Sequence, residues 1–160
     1  MTDFEGFFTL STPLNLVAKL RHDLSRIHSD FGDTYAAFDF FVTAEHVLDW
    51  KLPDSGGTTN RDKREHLRRT VPVLRVTSHI ASGAKHFKAL SARHESVDDL
   101  RTGGLFDPAI FDPAIFDTAP RLYVNLAGDD AAALGATVEV VTLAEQVLAY
   151  WENDLSESGE

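Results

Sequence analysis

The sequence predicts a mainly α-helical domain, a bundle of four or five helices with a small β-strand or hairpin before the C-terminal helix. Three observations carry this reading. Apolar residues recur at helical spacing through several long segments, capping residues and prolines stand where those segments begin, and the one alternating apolar and polar stretch, Leu122 to Ala127 (LYVNLA), is short. A chain of 160 residues is long enough for one sizeable hydrophobic core, so residues 1–160 are read as a single helical domain.

The elements follow in chain order. Thr12 and Pro13 open the first helix, a hydroxyl cap followed by a proline whose missing N–H costs nothing there, and Gly32 stops it. Leu16, Leu20, Leu24, Ile27 and Phe31 form its apolar stripe. Asp33 or Thr34 caps a second helix that continues to about Leu52, before Pro53. Phe38, Phe40, Phe41, Val42, Ala44, Val47 and Leu48 cover well over half its circumference, which marks it as the central helix. Asp54 to Thr59 (DSGGTT) reads as a turn leading into the basic segment Asn60 to Arg69 (NRDKREHLRR), itself a solvated face.

A third long helix is expected from Thr70 to Leu90. Its run of small residues, Ala81 to Ala84, suits close approach of another backbone. Residues 95–120 read as an irregular loop in which FDPAI stands at Phe106 to Ile110 and again at Phe111 to Ile115. Pro108 and Pro113 forbid a central strand there. The strand at Leu122 to Ala127 needs a partner, either near Val97 to Arg101 or at Thr137 to Val141. Gly128 to Asp130 reads as a turn, the final helix as Thr142 to Asp154, and residues 156–160 as a disordered tail.

Composition narrows the function classes. A formal net charge of −10 opposes nonspecific attraction to nucleic acid or anionic membrane. With no cysteine, disulfides and thiolate metal sites have no ligands. No apolar run reaches about 18 residues and the start MTDFEGFF lacks a basic n-region, so membrane association is not expected and the cytoplasm is the default.

Two constellations hold most of the chemically interesting side chains. Glu45, His46 and Asp49 on the second helix offer a carboxylate, imidazole, carboxylate set suited to a divalent metal or to proton transfer. The competing reading pairs both acids with arginine or lysine from a neighbouring helix, because an unpaired buried charge is expensive. On the Thr70 to Leu90 helix, Arg75, His79, Ser82 and His86 fall within about 60° of one another. That stripe suits phosphate binding by arginine and acid or base chemistry by histidine, with Lys85 extending the positive edge. Its plainer reading is a solvent-facing or interhelical stripe. Side-by-side packing of the two helices would set Glu45 and Asp49 against Arg75, His79 or His86.

The segments FFVTAEHVLDW (Phe40 to Trp50) and SHIASGAKHF (Ser78 to Phe87) resemble paired signatures of an uncharacterised family of small bacterial helical proteins. The resemblance implies a helical fold and directs attention to His46, Asp49, Trp50, Lys85 and His86. A looser similarity is to HEPN-type bundles, some of them RNases built on an arginine and a histidine with four to six residues between. Arg21 and His28 have six residues between them but share the first helix, whereas Arg75 and His79 have three and depart from the pattern.

The sequence therefore points to a noncatalytic cytoplasmic interaction or regulatory module, with a protein partner or self-association as a homodimer and no cofactor. The alternative is an HEPN-like RNase or metal-dependent hydrolase, with Arg75, His79 and His86 catalytic and Glu45, His46 and Asp49 holding a divalent metal. A nucleic-acid binder resting on Asn60 to Arg69 is the third reading.

Overall fold

A computed structural model describes residues 5–86, 95–104 and 119–159. Among the described residues, five long helices and one short one pack beside a three-stranded antiparallel sheet. Helix α1 (Pro13–Ser29) starts on a reciprocal capping box: Thr12 Oγ1 accepts from Asn15 N at 3.2 Å, and Asn15 Oδ1 accepts from Thr12 N at 3.1 Å. Its buried stripe is Leu16, Val17, Leu20, Leu24 and Ile27, with one acid among them. Asp23, 1% exposed, sits on that stripe and is held by Lys19 at 2.5 Å and Arg26 at 3.4 Å.

Helix α2 (Thr34–Lys51) is capped by the Asp33 carboxylate, which accepts from Ala36 N at 2.9 Å. It packs against α1, α4 (Pro72–His86) and α6 (Val140–Glu157), the central position its wide apolar surface requires. Phe40, Phe41, Ala44, Val47 and Leu48 are buried on it, and Trp151 of α6 is the largest fully buried side chain in the core. Phe38 departs from the expected buried set, with half its surface exposed.

The segment Asp54 to Thr59 (DSGGTT) does not form an open turn. A single 3-10 turn at Asp54–Gly56 leads directly into α3 (Gly57–Thr70), so the basic segment is helical throughout. The next helix starts at Pro72 instead of Thr70, because Val71 is extended at φ −106° and ψ 109°. A residue before proline is pushed out of the α region, and this one divides two helices. The expected final turn of that helix, Phe87 to Leu90, lies outside the described residues. Within the small run Ala81 is buried, while at Gly83, which lines a groove, no described residue outside its own helix lies within 4 Å of where a Cβ would sit.

Strand β2 (Arg121–Leu126) takes both candidate partners. It pairs antiparallel with β1 (Val97–Gly103), Leu100 opposite Val124, and with β3 (Thr137–Glu139), Val138 opposite Val124. The region read as an irregular loop therefore begins with a strand, while the FDPAI copies lie outside the described residues. Val124, Leu126 and Val138 turn inward and close the core against α6. Gly128 to Asp130, read as a turn, starts the short helix α5 (Gly128–Leu134), since the alanines that follow are strong helix formers and the acids suit a first turn. Helix α6 extends beyond both predicted ends: Glu139 passes the chain from strand to helix, and Lys51 binds Asp154 and, at 3.2 Å, Ser158 Oγ. The helix thus continues through Glu157 into the segment expected to be disordered.

No helix among the described residues is long and apolar enough to cross a membrane. One core hydroxyl has a testable consequence. Thr77 on α4 is 1% exposed, and its Oγ1 has no hydrogen-bond partner among the described residues. Thr77→Val removes a dehydrated hydroxyl and keeps the branched shape, so it is expected to stabilise the protein by about 1 kcal/mol in urea unfolding. A lower midpoint would contradict that accounting.

Candidate functional site

Helices α2 and α4 pack side by side and leave a groove of about 460 Å³ between them, with α3 at one end. Glu45, His46 and Asp49 enter it from α2, Lys85, His86, Ser78 and Ser82 from α4, and Arg68 from α3. Phe38, Val42 and Ala81 supply its apolar surface. Six of the residues singled out from sequence, Glu45, His46, Asp49, Ser82, Lys85 and His86, therefore share one cleft. Trp50 does not, since it lies partly buried against the core.

Arg68 organises the acids. Its Nε and Nη2 donate to Glu45 Oε1 at 3.0 and 2.5 Å, Nη2 reaches Asp49 Oδ1 at 3.3 Å, and Nη1 reaches Glu65 Oε1 at 3.2 Å. Arg64 stands 3.9 Å from Asp49 and binds Asp54 at 2.5 Å. The two arginines lie with Leu67 on the inward side of a segment whose other side is solvated, which corrects its reading as a solvated face. Burial pushes the Glu45 carboxyl above its ordinary range, while Arg68 and the Ser78 hydroxyl pull it back. Burial also opposes the charge on Arg68, but Glu45, Asp49 and Glu65 outweigh it and raise its pKa. The close two-point contact supports an ionised Arg68–Glu45 pair, with Glu45 the member nearer to losing its charge.

The divalent-metal assignment to Glu45, His46 and Asp49 is not supported by this geometry. Among the described residues no group of three or more His, Asp or Glu is arranged to hold a metal ion. The reason is local: the Glu45 carboxylate is turned onto the Arg68 guanidinium, and His46, next in sequence, is exposed.

The Arg75, His79, Ser82, His86 stripe is split by the fold. Ser82 and His86 face the α2 groove, whereas Arg75 and His79 turn toward α5 and the sheet. Arg75 grips Asp130, with Nε at 3.0 and 2.9 Å from the two carboxylate oxygens and Nη2 at 2.6 Å from Oδ1; its Nη1 also donates to the Arg69 carbonyl at the end of α3. Asp130 is 3% exposed, so a buried acid is held here by a partly exposed arginine. Its acid lies in a segment read as a turn, and only tertiary packing brings it beneath Arg75. The proposed catalytic trio of Arg75, His79 and His86 does not converge in one cleft. Arg21 and His28 bind Glu152 and Glu145 on α6 at 2.6 and 2.8 Å.

His79 Nδ1 accepts the Val97 N–H at 3.0 Å, which places the ring proton on Nε2 and leaves the imidazole neutral. Burial pushes its pKa below the ordinary 6.5, against the opposing pull of Asp130. The unfolded chain therefore takes up the proton first as pH falls below about 6.5. The stability contribution is present above that pH and is lost as pH falls through the folded value. Denaturant unfolding at a series of pH values is expected to show this loss, and His79→Asn, which keeps an acceptor without a titrating ring, is expected to flatten it.

A second groove of about 480 Å³ lies on the other side of α4, lined by Ala37, Phe41, Ile80, Val97 and Val124 among others. Phe38 lines both grooves and forms the ridge between them. Comparison with known proteins found no matching family model, no matching curated protein and no matching solved structure.

Proposed function

We propose that this chain is a noncatalytic interaction module of the cytoplasm, which docks a protein partner or a second copy of itself across the α2–α4 face. The observation that carries the reading is Phe38, 51% exposed between an apolar groove on one side and a charged groove on the other. An apolar anchor beside a polar border is the arrangement that concentrates binding energy at protein interfaces. Leu100, 57% exposed on β1, lines the same apolar groove. The catalytic alternative loses support because Arg75 is committed to Asp130, His79 to the Val97 backbone and Glu45 to Arg68. Kinship with small bacterial helical proteins belongs to the same proposal, and its support is that the two resembling segments both contribute to the α2–α4 groove.

The test combines peptide-display selection against the protein with sedimentation velocity over a wide concentration range. Binding or self-association is expected, and Phe38→Ala is expected to weaken it by about 1–2 kcal/mol, the loss of one anchor side chain, with unfolding midpoint unchanged. A protein that selects no peptide and stays monomeric at every concentration would remove the basis for this function.

A further inference from the structure

The charged groove has an asymmetry that specifies a ligand. Its acids are already engaged: Glu45 is held by two guanidinium nitrogens, and Asp49 lies within 3.3 Å of Arg68 and 3.9 Å of Arg64. Its other bases are uncommitted among the described residues. Lys85, His86 and His46 line the same cleft, are exposed, and make no hydrogen bond or ion pair with another described residue. They come from both walls, His46 from α2 and the other two from α4, with apolar Phe38 and Val42 in the same cleft.

Building on the interaction-module reading, we propose that the α2–α4 groove binds an acidic peptide segment, its carboxylate or phosphate held by Lys85, His86 and His46 while a neighbouring apolar side chain packs on Phe38 and Val42. The lysine ammonium is a strong point donor to either anion, and imidazole N–H groups add hydrogen bonds from the opposite wall. The groove's own carboxylates do not exclude an anion, because each shares a guanidinium. The net charge of −10 works against acidic ligands at long range. That field is screened beyond about 8 Å at physiological ionic strength, so contacts inside the cleft decide binding. A short segment carrying few charges therefore suits the site better than a second copy of this acidic chain.

The experiment is a set of amide chemical-shift titrations with four small probes: N-acetylphenylalanine, its neutral amide analogue, phenyl phosphate and phenethylammonium. The carboxylate and phosphate probes are expected to shift amides of residues 38–49 and 78–86, and to bind at least about threefold more tightly than the neutral amide. Lys85→Gln together with His86→Gln should erase that preference. Phe38→Ala should weaken all the aromatic probes that bind there. Because Lys85 and His86 are exposed, the double variant is expected to keep the wild-type melting temperature.

Three results would overturn the assignment. Equal binding of the neutral amide, dependent on Phe38, would remove the anion site while leaving the interaction module standing. Tighter binding of phenethylammonium would make Asp49 the recognition group and the ligand a cation. Absence of shifts in both segments with every probe would leave no ligand site in this groove, whatever peptide selection finds elsewhere on the α2–α4 face.

Discussion

Arg75→Met is expected to destabilise the protein by about 3–5 kcal/mol, the largest effect of any single replacement considered for this chain. The cause is the carboxylate left behind. Asp130 is 3% exposed and is held by Arg75 through contacts of 2.6 to 3.0 Å, so without the guanidinium it would be an uncompensated buried charge. The Arg69 carbonyl at the end of α3 would lose a donor in the same step. Equilibrium urea unfolding checks the magnitude. The double variant Arg75→Met/Asp130→Leu should recover most of the loss, because exchanging both members of a buried pair for apolar groups is far cheaper than removing one. If the double variant were as unstable as the single one, the cost would lie in packing and not in the orphaned charge.

The second large effect is expected at Arg68. Arg68→Met leaves Glu45, whose side chain is 18% exposed, beside Asp49 and Glu65 with no guanidinium between them, at a cost of about 2–4 kcal/mol near neutral pH. This variant carries a pH signature of known sign. The folded-state pKa of Glu45 is already raised by burial, and removing Arg68 removes the main opposing influence, so it rises further. The folded protein then holds a proton on Glu45 at pH values where the unfolded chain has released it. Stability is therefore highest below the unfolded value of about 4.3 and falls as pH rises through the folded one. Arg68→Met is expected to lose less stability in mild acid than at neutrality, and adding Glu45→Gln should abolish that difference. A loss independent of pH would show that Arg68 acts through its aliphatic packing.

The two arginines show why part of the candidate site was legible in the sequence and part was not. Glu45, His46 and Asp49 stand within about one helical turn, and Lys85 and His86 are adjacent, so their grouping along each helix follows from helical periodicity alone. Arg68 lies 19 residues beyond Asp49, in a segment whose composition reads as a solvated face. A signal was present, since Arg61, Arg64 and Arg68 recur at helical spacing, but spacing does not say which side of a helix has a neighbour. Asp130 gave less still: Gly-Asp-Asp reads as turn chemistry, and its burial depends on α5 landing over Arg75, far away in the chain. The helix break at Val71 was available from Pro72, because local sterics act before any tertiary contact.

Local rules were enough for the helical class, the capped starts of α1 and α2, the central place of α2 and a strand at Leu122 to Ala127, one residue from its observed Arg121–Leu126, because periodicity, capping and turn chemistry act over a few residues. The pairing of charges came from packing between distant segments. It split the Arg75 to His86 stripe between two sides of α4, gave Arg68 to Glu45 and Arg75 to Asp130, and left Lys85, His86 and His46 uncommitted among the described residues around one groove. The physical reason is that a buried charge is settled by whichever opposite charge the packing of apolar faces brings beside it, and that partner need not be near in the chain.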